Sequence, residues 1–465
     1  MGGPEAGALS PGLDAGDASD DNDESDEALL AGHARGDART APKNLWFVAG
    51  KAYDLTAFVA KHPGGRDALL LGKGTNCTEL FASYHFTAQK QARLMARYEV
   101  PVDLTDPQAV ELAGHSRFTF ADDDFYKIVK KRVADHFRKS RTKPGASVAV
   151  QVLSLLAILG VVALTYPAYV RGSLVAAGAL AVLRALTAVG PGHSMSHFSL
   201  FPRGRWNALV FRLGSPFLVS SWPIWSNSHV RSHHVDTLTP DDLQDNYPLK
   251  RIQPGLAHRP WHRGQPFYSW IVYALGLPLW SLQDFVLAIK SLFTGRHLVN
   301  QISLRDRVEN VIAIGLNLVL SVALPFFFLP WKRAALVCLV VNVVSSLMVV
   351  IQIVVNHEVP ETMDRSSGDG VDWGRHQVLT SHNFGVDSSI ALHMSGGLNM
   401  QIEHHLFPGV HYTHFPQISK IVREACVEFR LPYNTSSHVF EAMAKHQRLL
   451  RLNSVPPPVA HAGTA

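Results

Sequence analysis

The sequence predicts two folded parts in one chain: a small α+β domain, then an all-α integral membrane domain of four transmembrane helices plus interfacial helices. Three observations carry this. A globular stretch near the start contains His62-Pro63-Gly64-Gly65 and, 23 residues after His62, His85. Four apolar runs, at 146–168, about 173–190, 311–329 and 334–355, form two tight pairs, and a crossing needs ~20 apolar residues. Three histidine clusters lie beside those runs: His193-Ser194-Met195-Ser196-His197, His229-Val230-Arg231-Ser232-His233-His234, and Gln401-Ile402-Glu403-His404-His405.

Composition agrees. Hydrophobic residues are 47% and charged residues 17%, apolar for a soluble protein. The formal charge of +5 then suits anionic lipid headgroups better than nucleic acid. Cys77, Cys338 and Cys426 are far apart and form no CxxC, which argues against a disulfide framework or a cysteine zinc site and fits chemistry facing a reducing cytosol. With 24 histidines in 465 residues, a lone HxxxH or HH pair carries little weight. Two HH pairs, each preceded by another histidine or a glutamine, plus an HxxxH, carry much more.

Residues 1–42 read as a disordered acidic tail. Positions 14–27 hold eight acidic residues and no basic one, too polar to build a core, and there is no apolar signal-peptide core. Residues 43–105 read as the small domain. Leu45-Trp46-Phe47-Val48 and Gly50-Lys51-Ala52-Tyr53-Asp54-Leu55-Thr56 predict two strands with a turn at Gly50, and Thr78-Glu79-Leu80-Phe81 predicts helix. Pro63 and the two glycines allow a tight bend beside His62. His62 and His85, on opposite sides of a small pocket, could ligate a haem iron axially, an arrangement that moves electrons and leaves no open site for oxygen.

Residues 106–145 read as a linker and a basic juxtamembrane segment. Lys127, Lys130, Lys131, Arg132, Arg138, Lys139, Arg141 and Lys143 precede the first apolar run and place that side in the cytosol. Residues 146–440 form the membrane domain, and 441–465 a C-terminal tail. Arg184 interrupts the second span, where it snorkels or pairs inside the bundle. Two hairpins return every histidine cluster to one face. The stretches 201–222 and 267–293 are apolar but carry charges and read as amphipathic segments lying in the interface.

On a helix, positions i, i+3 and i+4 share a face, so Gln401, His404 and His405 present one amide and two imidazoles together. Imidazole suits iron, copper, zinc and nickel. The clusters supply His193, His197, His229, His233, His234, His404 and His405, too many ligands for one metal. Asp241, Asp242 and Asp245 read as a solvated loop, with partners behind the ligands as the other reading, and His376, His382, His393, His411 and His414 as off the face of the third cluster, behind the ligands or on the surface.

The run Asn399-Met400-Gln401-Ile402-Glu403-His404-His405-Leu406-Phe407-Pro408 resembles the third histidine box of the membrane-bound front-end acyl desaturases. The stretch around His62-Pro63-Gly64-Gly65, with Tyr53-Asp54-Leu55-Thr56-Ala57-Phe58 before it and Phe81-Ala82-Ser83-Tyr84-His85 after it, resembles cytochrome b5, whose fusion ahead of histidine boxes is typical of that family. Gly74-Thr75-Asn76-Cys77-Thr78 departs from the usual Gly-x-Asp-Ala-Thr. The Ser-Met-Ser inside the first box lacks the acidic residue often found there.

The resemblance implies haem b on His62 and His85, and two iron ions on the box histidines, Gln401 and His357, a histidine following the fourth span. Spacing alone would also allow copper or zinc. It implies electrons from NADH through a separate NADH-cytochrome b5 reductase, then haem, then the di-iron centre. There O2 would be reduced to water as two hydrogens leave adjacent carbons of a fatty acyl lipid or acyl-CoA, giving a cis double bond on the carboxyl side of an existing one in a polyunsaturated chain. It implies an endoplasmic reticulum bilayer, with termini and active site facing the cytosol and no nucleic-acid partner. The three-residue gap in the second box leans toward Δ5 or Δ4 over Δ6 or Δ8 enzymes. A sphingoid long-chain-base desaturase or an acyl hydroxylase shares the same parts; Gln401 favours front-end chemistry over the hydroxylase. A membrane-anchored haem electron carrier with a structural second metal site is the reading from another class.

Overall fold

The computed structural model describes residues 41–456, apart from 87, 115, 219, 245–247, 298–299 and 364–369. The expected tail over 1–40, residues 457–465 and Asp245 lie outside the described residues.

In the small domain, β1 (Trp46–Val48) and β2 (Lys51–Tyr53) pair antiparallel with Trp46 opposite Tyr53, and β3 (Glu99–Val100) adds to β2. The hairpin turns through Ala49 and Gly50, both at positive φ (50° and 81°), as a two-residue turn requires when it must match strand twist. Trp46, Val48, Tyr53, Leu55, Val59, Cys77 and Met95 form the core. The unusual Asn76-Cys77 pair is accommodated: Asn76 Oδ1 accepts from the Thr78 amide at 3.2 Å and from its hydroxyl at 2.6 Å, and the Cys77 side chain is buried.

Four helices are long and apolar enough to cross a membrane: Val148–Val170, Leu174–Ser196, Leu304–Phe328 and Trp331–His357. They match the expected spans, the first shifted by two residues and the other three longer. The second runs into the first histidine cluster, and the fourth ends on His357. Arg184 pairs inside the bundle: its guanidinium donates to Leu218 O at 2.9 and 3.1 Å and to Asn342 Oδ1 at 3.1 Å. The 267–293 stretch is a bent pair, Pro260–Ala274 and Gly276–Thr294, at 80°. The two pieces reach span-like length and hydropathy only when taken together, and the bend denies them a straight crossing. Gly276 sits at the corner because a Cβ there would meet Val350 Cγ2 at 2.7 Å. The 201–222 stretch contains the helix Gly204–Gly214, with Ala208 and Phe211 buried and Leu209 and Leu213 exposed.

Two boundaries differ from the sequence reading. Residues 106–145 are no loose linker. Helix Pro107–Ala113 carries Leu112 and Ala113 against Leu45 and Phe47. Helix Phe125–Ser140 is amphipathic: Phe125, Tyr126, Val129, Val133 and Phe137 enter the largest core cluster with Trp373, Phe407, Phe415 and Ile418. The basic residues dominated the reading, and the apolar stripe at helical spacing between them decides the fold. Residues 441–465 likewise begin inside a helix, Val439–Leu452, with Ala442, His446, Leu449 and Leu450 buried. His446 Nδ1 lies 2.8 Å from Glu358 O, and its Nε2 lies 2.9 Å from Tyr273 Oη.

Arg184 provides a test of the bundle. In Arg184→Met, Asn342 Oδ1 loses its donor and Leu218 O keeps only the long bond from Asn317 Nδ2 at 3.5 Å, at about 1–3 kcal/mol for an orphaned buried group. The expected outcome is a lower thermal midpoint in detergent with the haem spectrum intact.

Candidate metal centre and haem pocket

The first histidine cluster grows from the end of the second span. The turn before it, Ala188–Gly192, is π-helical with Pro191 inside; proline has no N–H to give the ordinary ladder. His193 and His197 then share a face. In the second cluster, i, i+4 and i+5 do not lie on one α-helical face. The segment Ser226–His233 is π-helical, and its wider turn brings His234 Nε2 to 3.2 Å from His229 Nε2. The third cluster opens on Gly396 and Gly397, both at positive φ (59° and 88°). A Cβ on Gly396 would run into Val189 O and Gly190, and one on Gly397 into Tyr412. Those glycines let the backbone just ahead of helix Gln401–Leu406 pack against the end of the second span, so that the His404 ring reaches the His193 ring at a centroid distance of 4.5 Å.

The result is two buried groups: His193, His197, His229, His234 and His404; and His233, His357 and His405. Within each, one ligand atom per residue lies within 4.8 Å of all the others. Neighbouring histidines diverge by about a quarter turn on a helix, so each HH pair is divided, His233 from His234 and His404 from His405. Burial first, and then the surrounding rings, holds His197, His229, His234, His404 and His405 well below the usual imidazole range. They are therefore neutral, the form that binds metal.

Their outer nitrogens are held from behind. His229 Nδ1 lies 3.2 Å from Gln244 Oε1, His233 Nδ1 3.0 Å from Asp242 Oδ2, and His405 Nδ1 2.8 Å from Gln377 Oε1. His357 Nδ1 lies 2.9 Å from Thr380 O, and His197 Nδ1 2.8 Å from Tyr84 Oη. Such partners fix tautomer and ring orientation in metal sites. Burial alone would raise the Asp242 carboxyl, but His233 and two backbone amides bring it below its ordinary value. Asp242 is thus a buried ionised partner of His233, so of the two readings of this run it takes the partner role and not the solvated one; Asp241 instead pairs with Arg117 at 2.7 Å.

The inner nitrogens fit cations. His193 Nε2 and His229 Nε2 are 3.0 Å apart, and two nitrogens ~2.1 Å from one ion at a right angle lie ~3.0 Å apart. His197 Nε2, His404 Nε2 and His405 Nε2 are buried without hydrogen-bond partners. Gln401 adjoins the smaller group: its Nε2 is 2.9 Å from His357 Nε2, while its Oε1 accepts from Asn356 Nδ2 at 3.1 Å. His376, His382, His393, His411 and His414 join neither group and bond to backbone or hydroxyl oxygens instead. Glu403 turns away from the metals and accepts from Tyr433 and Asn383 at 2.8 and 2.9 Å.

In the small domain the His62 and His85 rings face each other with centroids 6.2 Å apart. Two imidazoles on opposite sides of one iron, each nitrogen at ~2 Å, require about that separation. Their Nδ1 atoms are tied to Gly65 O and Phe81 O at 3.1 and 2.8 Å. Burial lowers both rings, His85 to about 4. Gly64 is required because a Cβ would meet His62 Cε1 at 2.8 Å. The pocket fits a haem held by two neutral imidazoles.

Sequence reasoning missed Tyr84, Gln244 and Gln377 behind the ligands. No spacing rule marks them, although Gln244 closes the Asp241-Asp242-Leu243-Gln244 run just after the second cluster. Gln377→Leu is expected to weaken iron retention about 10–100-fold, measured by chelator competition on purified protein with the haem band as a folding control.

Comparison with known proteins agrees with this geometry. Residues 164–437 match the fatty acid desaturase family, and residues 31–102 the cytochrome b5-like haem/steroid binding domain. The chain is 28% identical to the Delta(5) fatty acid desaturase A of Dictyostelium discoideum, over 86% of this chain and 88% of that one. It is 28% identical to an acyl-lipid (8-3)-desaturase of Mortierella alpina, over 93% and 97%. It is also 28% identical to a chloroplastic acyl-lipid (7-3)-desaturase of Chlamydomonas reinhardtii, over 86% and 79%. With its histidine clusters gathered where the second and fourth of four candidate membrane helices end, and a cytochrome b5-like domain ahead of them, this chain belongs to the fatty acid desaturase family.

Proposed function

We propose that the protein is a front-end desaturase that places a cis double bond in polyunsaturated acyl chains on the carboxyl side of an existing one. The observation that carries this is the division of each HH pair between two buried histidine groups, beside a haem pocket in the same chain. His193, His197, His229, His234 and His404 would hold one iron; His233, His357 and His405, with the Gln401 amide, the other. Iron would supply the activation of O2 that an unactivated C–H bond demands. The chain's own part is to orient neutral rings, exclude water and hold the acyl chain in place. Electrons would enter from NADH through a separate reductase at the haem on His62 and His85. The name of the Dictyostelium Delta(5) relative supports Δ5 among the positions the sequence left open. The two span pairs and the basic residues before the first support a cytosolic site, with the endoplasmic reticulum as the membrane.

Expression in a host fed polyunsaturated acids, followed by lipid analysis, tests this. A new double bond nearer the carboxyl end is expected. Long-chain-base products or hydroxyls would favour the alternatives sharing these parts, and an unchanged lipid profile an electron carrier.

Two variants test the assignments. His62→Ala is expected to abolish the haem Soret band and product formation while the chain still inserts in the membrane; a normal Soret band would refute axial ligation. Gln401→Leu is expected to lower product by at least about 10-fold, and Gln401→His to retain part of it, at matched protein levels. Wild-type turnover in Gln401→Leu would remove the amide from the iron site.

A further inference from the structure

We propose that Tyr84, a residue of the haem domain, is a positioning residue for His197, so that the five-histidine group of the membrane domain is completed only when the haem domain is docked on it. Tyr84 ends the helix Thr78–Tyr84, and the next residue is His85. Its Oη lies 2.8 Å from His197 Nδ1, and Nε2 of the same ring is buried without a hydrogen-bond partner. For Nε2 to bind a cation, Nδ1 must carry the proton. Nδ1–H then donates to the phenol oxygen, which sets the rotation of the ring.

The phenol is aimed by contacts that do not depend on His197. A Cβ on Gly409 would meet Tyr84 Cδ1 at 3.1 Å, so the glycine leaves the space beside the phenol ring. On one side, Ala82 O accepts from Lys130 Nζ at 2.5 Å and lies 3.3 Å from Tyr126 Oη, which is also 3.2 Å from Leu406 O. On the other, Phe86 stacks on Phe407 with centroids 6.0 Å apart and planes 11° apart. Leu406 and Phe407 directly follow His405, so the surface that docks the haem domain is continuous with the third histidine box. Gln244, Asp242, Gln377 and Thr380, which hold other ligand rings, all belong to the membrane part. Tyr84 is the partner that crosses from one domain to the other. Coupling of this kind is reciprocal: ordering the metal site stabilises the docked haem domain by as much as docking stabilises the site.

The inference rests on the reading of His197 as a metal ligand, and the test separates the two. Full-length wild type, Tyr84→Phe and Tyr84→Leu are purified with haem and iron. Non-haem iron is measured during a chelator challenge, Mössbauer spectra are recorded, and the haem absorption band establishes that the small domain is folded. Tyr84→Phe keeps the ring against Gly409 and loses only the hydroxyl. It is expected to release non-haem iron 10–100-fold more readily, with an altered non-haem quadrupole doublet and an unchanged haem band. Tyr84→Leu gives the same reading should Tyr84→Phe fail to take up haem. Wild-type iron retention and an unaltered doublet in Tyr84→Phe overturn the role of Tyr84 and leave the metal site standing. Wild-type protein that holds no non-haem iron overturns both.

Discussion

Eight imidazoles gathered in one buried volume are the constraint to which the rest of the fold answers. Burial holds His197, His229, His234, His404 and His405 well below the usual imidazole range, and several inner nitrogens have no hydrogen-bond partner. A buried polar atom without a partner costs free energy, and a half-satisfied polar network is worse than an apolar core. The arrangement is therefore stable only with cations at its centre, or with strong restraint from outside. The structure supplies the restraint: Asp242, Gln244, Gln377, Thr380 and Tyr84 each hold an outer nitrogen and leave the inner one facing the cluster.

Membrane architecture follows from the same requirement. The second span ends just after His193 and the fourth ends on His357, on the same side, so two hairpins suffice to bring ligands from distant parts of the sequence together. Side chains buried between the spans are not all apolar. Arg184, Asn342 and Ser345 bond to backbone or to one another, as polar groups in a bilayer must. Above the spans, helix Phe125–Ser140 buries one face under the third box, while its Lys130 and Tyr126 reach the haem domain. Arg212 adds a second tie: it pairs with Asp67 of the haem domain at 2.8 Å and with Glu309 of the third span at 3.0 Å. A basic run that reads as a membrane-facing segment thus also clamps one domain to the other.

The boxes, the two span pairs, the β-hairpin at Gly50 and the approach of His62 to His85 were all legible, because each is a local pattern of period, turn chemistry or spacing. What was not legible depends on distance in sequence. His197 and Tyr84 are separated by 113 residues, and His405 and Gln377 by 28; Gln377 belongs to no motif, and the stretch that holds Tyr84 points to the haem and not to His197. The path of the second box was hidden for another reason. A spacing of i and i+5 implies divergence on an α-helix, and the π-helical turn at Ser226–His233 brings His229 and His234 together while His233 joins the other group. The buried helix at Val439–Leu452 was obscured by its many polar residues, of which His446 is in fact fully buried and bonded.

The asymmetry between the two groups gives the third box its logic. Five histidines form one group and three the other, so a glutamine in place of a further histidine falls on the side with fewer rings. An amide there can accept or donate as needed, but its orientation must be set. Asn356 does this by donating to Gln401 Oε1, and it also donates to Leu398 O at 2.9 Å. Asn356 and His357 are consecutive at the end of the fourth span, so a single helix end supplies both a ring of the smaller group and the anchor of the amide beside it. Moving that helix end would disturb both at once. The long fourth span is thereby tied to the geometry of the site as firmly as the boxes themselves.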